Sequence, residues 1–229
     1  MQKQINKEEL SSLVSNGDTL LVGGFGLSGS PLTLIDKLAT INKRDLTIVS
    51  NNLGEANTGL GKLLFTNSLR KIIGSYFTSN PDVIEISHKK NIEVELIPQG
   101  TMAEAIRCGG AGIPAFYTQT AVGTQLAKDK EVRDFDGKSY LLEKAITGDL
   151  ALIKALKADT YGNLIYDHTA RNFNPIMATA ANIVIAEVDE IVDIGELKPD
   201  EIVTPHIYVD YIVINDYEKV GGKYIEPVR

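Results

Sequence analysis

Residues 16–31 read Asn-Gly-Asp-Thr-Leu-Leu-Val-Gly-Gly-Phe-Gly-Leu-Ser-Gly-Ser-Pro. Thr19–Val22 is a short apolar run of the kind that forms a strand buried on both faces. Gly23, Gly24, Gly26 and Gly29 follow it and make a loop that few side chains could trace. Ser30 and Pro31 then have the chemistry of an N-cap and a first helical residue. A strand that passes through a glycine loop into a helix predicts a site for a phosphate or other anion. Backbone N–H groups point outward there, and the helix dipole adds partial positive charge.

The same alternation continues along the chain. Asn6-Lys7-Glu8-Glu9 has the spacing of a capping box, before a short helix with Leu10, Leu13 and Val14 on its inner face. Leu34, Ile35 and Leu38 give a helical stripe after the loop. Leu46–Val49 reads as a second strand, ending in Ser50-Asn51-Asn52, and a short helix is expected near Lys62–Thr66. Arg70–Phe77 reads as a third strand, Asn80-Pro81 as the start of a helix to about Lys89, and Glu93–Ile97 as a fourth strand. Thr101-Met-Ala-Glu104 matches a second capping box, opening a helix that stops at Gly109-Gly110. Strands that alternate with helices and end in Gly, Asn or Gln predict a parallel sheet covered on its faces. Ligands of such sheets bind beyond the C-terminal ends of the strands.

The second half is richer in strand. Asp136-Gly137 between β-forming segments predicts a hairpin turn. Ala151–Ile153, Ile183–Ala186 and His206–Ile214 read as strands, Tyr161-Gly-Asn163 as a turn, and Pro175–Ala181 as a helix behind Asn174. No low-complexity linker separates the halves. Residues 1–229 therefore read as a single α/β domain: an open, mainly parallel sheet with flanking helices and a β-rich elaboration.

The formal charge is −7 and no Lys/Arg run is present, which argues against nucleic acid as a partner. One cysteine, Cys108, excludes an internal disulfide framework and a Cys-based zinc cluster. His88, His168 and His206 lack ligand spacing, so no metal site is expected. The first residues contain no apolar leader and no apolar run nears the ~20 residues of a membrane span. A cytoplasmic protein without a membrane contact is the expectation.

Gly24-Phe-Gly26-Leu-Ser-Gly29 satisfies the dinucleotide pattern G-x-G-x-x-G. The acidic residue that would hold the ribose belongs at the end of the next strand. That strand ends in Ser50-Asn51-Asn52, and Asp45 stands at its start. A wider match decides the matter. Asn16-Gly17, the apolar Leu20-Leu21-Val22, Gly23-Gly24-Phe25, Gly29 and Pro31 together resemble the first signature of the class I coenzyme A transferases. The similarity is greatest to the A subunits of the branch that acts on 3-oxoacids, and it runs to about residue 214. Further matching blocks include Leu46–Asn52, Pro98-Gln-Gly-Thr101, Arg107–Pro114, Val122-Gly-Thr124, Asp159–Asn163, Ala170–Pro175 and Gly195–Pro199.

The resemblance implies a Rossmann-like fold of the CoA-transferase type. It also implies transfer of CoA from an acyl-CoA such as succinyl-CoA to an acid such as acetoacetate, with CoA as a substrate and no tightly bound cofactor. In the family a glutamate attacks the thioester, giving a mixed anhydride and then a glutamyl-CoA thioester that the acceptor acid resolves. Covalent catalysis divides one hard exchange into easier steps. That glutamate lies in a Ser-Glu-Asn-Gly motif of the B half, and this sequence contains none. The resemblance therefore implies no catalytic nucleophile in this chain, a partner B subunit and an A2B2 assembly. It assigns Gly24, Phe25, Gly26, Leu27, Ser28, Gly29 and Ser30 to CoA binding, and Asn51, Asn52 and Gln99 to the acyl or carboxylate groups.

Other candidates have simpler readings. Arg107 and Arg171 can tie down adjacent loops, Cys108 can pack as a small buried residue, and Glu104 can serve the cap of Thr101. Glu55 follows the Asn pair and is the one glutamate considered for the site. The stretches 109–124 and 206–214 are the expected partner interface. Ser28 and Ser30 stand where relatives often carry Cys and Ile. Residues 53–57 and 76–92 depart from the family pattern where the acyl pocket could be shaped.

Overall fold

The computed structural model describes residues 3–220 and 223–225. The sheet is built from β1 (Thr19–Val22), β2 (Leu46–Val49), β3 (Leu69–Gly74) and β4 (Glu93–Leu96) in the first half. After the ribbon strands β5 (Ala115–Thr118), β6 (Val132–Phe135) and β7 (Lys138–Lys144), it gains β8 (Gly148–Asp159), β9 (Leu164–Ile165), β10 (Ala181–Val192) and β11 (Tyr211–Ile214). The spatial order is β11-β10-β8-β1-β2-β3-β4, with every neighbouring pair parallel. The short β9 runs antiparallel, on β8. The predicted open parallel sheet is thus present, with β1 near its middle.

Helices α1 (Leu10–Leu13), α2 (Leu32–Thr40) and α3 (Asp82–Lys90) lie in the first half, α4 (Gln99–Gly110) leads into the ribbon, and α5 (Asn174–Ala178) precedes β10. Alternate strand residues feed two cores, as period-two geometry requires. Leu20, Val22, Ile48 and Leu152 join Leu34, Ile35 and Leu38 of α2 on one face. Leu21, Val49, Ala151 and Ile153 join Met102 and Ile106 of α4 and Met177 of α5 on the other.

The β-rich elaboration is a three-stranded antiparallel ribbon in the order β5-β7-β6. Asp136 (φ 48°) and Gly137 (φ 74°) turn β6 into β7, with the two positive φ values that Asp-Gly favours. A second antiparallel pair joins β12 (Glu218–Val220) to β13 (Lys223–Ile225).

Four local expectations need correction. The Asn6 capping box is present, with Glu9 bonded back to the Asn6 N–H, but it caps a 3₁₀ turn that leads into α1. The helix expected near Lys62–Thr66 is a 3₁₀ segment over Gly59–Phe65. The Thr101 capping box does not form: α4 begins three residues earlier, because Pro98 sets the entry and the chain turns helical directly after it. Thr101 is buried within the helix, and Glu104 instead bonds Arg107 at 2.7 and 2.9 Å. Finally, His206–Tyr208 is a 3₁₀ turn after Pro205, and only Tyr211–Ile214 is strand.

Candidate active site

The C-terminal ends of β1, β2, β3 and β4 form a crest. Pairing extends past each strand: Gly23 N–H donates to Leu152 O (3.0 Å), Ser50 N–H to Ile73 O (3.0 Å), Ser75 N–H to Asn51 O (2.9 Å) and Ile97 N–H to Gly74 O (2.9 Å). The glycine loop, the Asn pair and Gln99 therefore stand along one edge of the sheet.

The loop is a tight turn. Phe25 and Ser28 exchange N–H···O bonds of 2.9 and 3.2 Å around Gly26 (φ 62°). Asparagines hold it from outside. Asn52 Oδ1 accepts from Gly26 N–H (2.9 Å), and Asn172 Oδ1 accepts from Gly24 N–H (3.2 Å). Asn172 Nδ2 donates to Ser28 O (3.0 Å), and Asn174 Nδ2 donates to Gly29 O (3.0 Å). The glycines permit this closeness. A Cβ on Gly23 would stand 1.7 Å from Asn174 Oδ1, and one on Gly29 (φ 68°) 2.3 Å from Ala170 O. The N–H groups of Leu27 and Gly29 keep no partner among the described residues, so they are the loop's spare donors.

The helix start differs from the sequence expectation. Ser30 is not an N-cap: Pro31 occupies that position, and the Ser30 hydroxyl donates to Gly26 O (3.2 Å) inside the loop. The first turn of α2 is also not open to a ligand anion. Leu34 N–H donates to Glu187 Oε2 at 3.1 Å, Leu32 N–H to Ser30 O and Ile35 N–H to Pro31 O. The protein's own carboxylate, from β10, occupies the place expected for an external anion. Glu187 is buried, and Lys154 Nζ of β8 lies 3.8 Å from its Oε1. Burial pushes the Glu187 carboxyl up to about 7, with the Lys154 ammonium pulling the other way.

The two asparagines after β2 divide their work. Asn52 spends both ends on backbone, its Nδ2 donating to Gly54 O (3.3 Å). Asn51 is buried and accepts from Ser75 Oγ (2.9 Å), while its Nδ2 has no acceptor among the described residues. Gln99, the first residue of α4, is exposed and its side chain has no partner among the described residues. Two strand steps of roughly 4.8 Å separate it from the Asn pair along the crest. The structure joins Asn52 to the loop by a hydrogen bond and leaves Gln99 apart from it.

The remaining candidates resolve into local roles. Glu55 is exposed, with its backbone bridged to Thr58. Arg107 pairs with Glu104, and Arg171 is exposed in a 3₁₀ turn beside Asn172. Cys108 is 1% exposed and burial pushes its thiol up, away from thiolate character. A cavity of about 660 Å³ lies on the flank of α2, lined by Lys7, Thr33, Asp36 and Lys62 among others, and no crest residue lines it.

Sequence reasoning passed over Asn172, Asn174, Lys154 and Glu187. The two asparagines lie inside a block already noted for its resemblance. Lys154 and Glu187 had a visible signal: each is a charge within a largely apolar strand.

A comparison with protein families decides the affiliation: residues 4–215 match the model described as Coenzyme A transferase. The chain belongs to the coenzyme A transferase family. This family member is 53% identical over 209 residues to the A subunit of the probable succinyl-CoA:3-ketoacid coenzyme A transferase of Bacillus subtilis, covering 91% of this chain and 88% of the relative. It is 42% identical to the alpha subunit of the acetate CoA-transferase of Escherichia coli K12, covering 95% and 99% respectively. Its fold matches a crystal structure of the acyl-CoA transferase YdiF from E. coli O157:H7, a thioester complex with CoA, at a TM-score of 0.84 and 23% identity. That match covers 100% of this chain and 50% of YdiF, so the chain spans about half the length of that enzyme.

Proposed function

We propose that this chain is the A subunit of a cytoplasmic 3-oxoacid CoA-transferase and forms a single domain. It moves CoA from an acyl-CoA, with succinyl-CoA foremost, to a 3-oxo acid such as acetoacetate. The observation that carries this reading is the 53% identity with the B. subtilis protein over 91% of the chain. The crest supports it. A loop built for close backbone approach offers the Leu27 and Gly29 N–H groups, and Gln99 offers a free amide. Such donors suit a thioester carbonyl on which negative charge develops, where one can be worth roughly 3–4 kcal/mol.

In this reading Gly24–Ser30 takes the neutral arm of CoA, because Glu187 already occupies the first turn of α2. Asn51 Nδ2 and Gln99 bind the acyl or carboxylate oxygens. Asn52 positions the loop. The nucleophilic glutamate comes from a B subunit in an A2B2 assembly, since this sequence has no Ser-Glu-Asn-Gly. The expected interface needs narrowing. Ile212 and Val213 face the core, whereas Ile207 (72% exposed), Tyr208, Ile214 and Ile113 remain available to a partner.

A panel of acyl-CoA donors and short acids, assayed with the two reconstituted subunits, tests the substrate. Fastest transfer from succinyl-CoA to acetoacetate supports the proposal. Fastest transfer to acetate would favour the second reading, an acetate CoA-transferase, which the 42% identity with the E. coli protein supports.

A further inference from the structure

Glu187 is a buried ionisable group with no part in the proposed chemistry. It lies on β10 in register with Lys154 of β8. Oε2 accepts from Leu34 N–H (3.1 Å), and Oε1 has no hydrogen-bond partner among the described residues. Lys154 Nζ pairs with Asp189 on the same strand as Glu187. Lys154 N–H donates to Asn174 Oδ1 (2.9 Å), and Asn174 Nδ2 donates to Gly29 O. The charged cluster therefore reaches the glycine loop by two routes: one through Asn174, the other through the first turn of α2.

We infer that Glu187 is a positioning residue for CoA binding, fixing the exit of the glycine loop by holding the start of α2 from inside the sheet. This rests on the proposed assignment of that loop to CoA. The loop and helix form one rigid path: Ser30 Oγ donates to Gly26 O, Leu32 N–H to Ser30 O, and Leu34 N–H to Glu187. An apolar side chain at 187 would leave a buried helix N–H without an acceptor. A carboxylate supplies the acceptor and suits the positive end of the helix. Burying an ionisable side chain with one oxygen lacking a hydrogen bond among the described residues is a poor way to gain stability. Its use lies in fixing the Leu27 and Gly29 donors against the crest.

The test uses the reconstituted two-subunit complex with Glu187→Ala and Glu187→Gln. The amide keeps an acceptor for Leu34 and the alanine does not. Glu187→Ala is expected to raise KM for the acyl-CoA by about tenfold with kcat within about threefold, and Glu187→Gln to restore KM to within about twofold. Hydrogen exchange of residues 24–34 in the complex should be faster in the alanine variant and near wild type in the glutamine variant. If alanine lowers thermal stability and active fraction but leaves KM and loop exchange unchanged, Glu187 is merely structural and the inference is overturned. Where the alanine variant does not fold, Glu187→Asp withdraws the carboxylate by one methylene, and an unchanged KM would overturn the inference equally. A wild-type complex without CoA transfer would sink the functional reading instead, and the exchange measurement would still decide the positioning role.

Discussion

In the glycine loop, Asn52, Asn172 and Asn174 spend their amides on backbone groups of residues 24–29 and their surroundings. Gln99, on the same crest, is exposed and its amide has no partner among the described residues. The side-chain chemistry is the same and the consequences are opposite. The amides at the loop are committed to the fold, so changing the loop breaks structure first. An amide with spare donors and acceptor can be removed without touching the fold, so its loss reads out on chemistry alone.

The sharpest way to break this comparison is Gly29→Ala. It adds a methyl 2.3 Å from Ala170 O at a φ of 68°. We expect a loss of at least about 3 kcal/mol in urea unfolding, through strain and overpacking. A loss under about 1 kcal/mol would mean that the asparagine clamp is loose.

Next comes Glu187→Gln. Burial holds the Glu187 carboxyl at about 7, above the 4.5 of an unperturbed glutamate. Lys154 from β8, Asp189 from β10 and the Thr33 and Leu34 amides of α2 surround it. Between those two values the folded protein keeps a proton that the unfolded chain has released. The stability this group contributes is therefore complete below pH 4.5 and falls as pH rises toward 7, by about 3 kcal/mol in all. The glutamine variant lacks that slope. Its stability relative to wild type should rise between about pH 5 and pH 8 by up to that amount, and parallel pH profiles would contradict the account.

Gln99→Ala should lower kcat of the reconstituted enzyme by about tenfold or more, with unfolding free energy within about 0.5 kcal/mol of wild type. Wild-type turnover would remove Gln99 from the site. The smallest effect belongs to Gly26→Ala. Its φ is 62°, but an added Cβ meets nothing within 4 Å. Only the left-handed backbone penalty, about 1 kcal/mol, should appear.

Much of this was legible from the residues. Thr19–Val22 and Leu46–Val49 are strands with the expected ends, because a short apolar run flanked by glycine or asparagine has few other uses. Asp136-Gly137 turns where its positive φ values demand. The cap of α2 was not legible, because its acceptor lies 153 residues from Leu34 in sequence and only the sheet order brings it there. Thr101 misled for a local reason: its spacing to Glu104 is right, but Pro98 starts the helix earlier. Residues 206–214 misled because apolar composition does not distinguish a turn with Ile207 outward from a strand with Ile212 and Val213 inward.

The central claim is that this chain presents substrate to a nucleophile carried by another chain. Assaying succinyl-CoA to acetoacetate transfer with the purified chain, first by itself and then with its B subunit, tests that most directly. The account predicts no transfer by the chain in isolation and robust transfer once the B subunit is added. Robust transfer by this chain in isolation would contradict it.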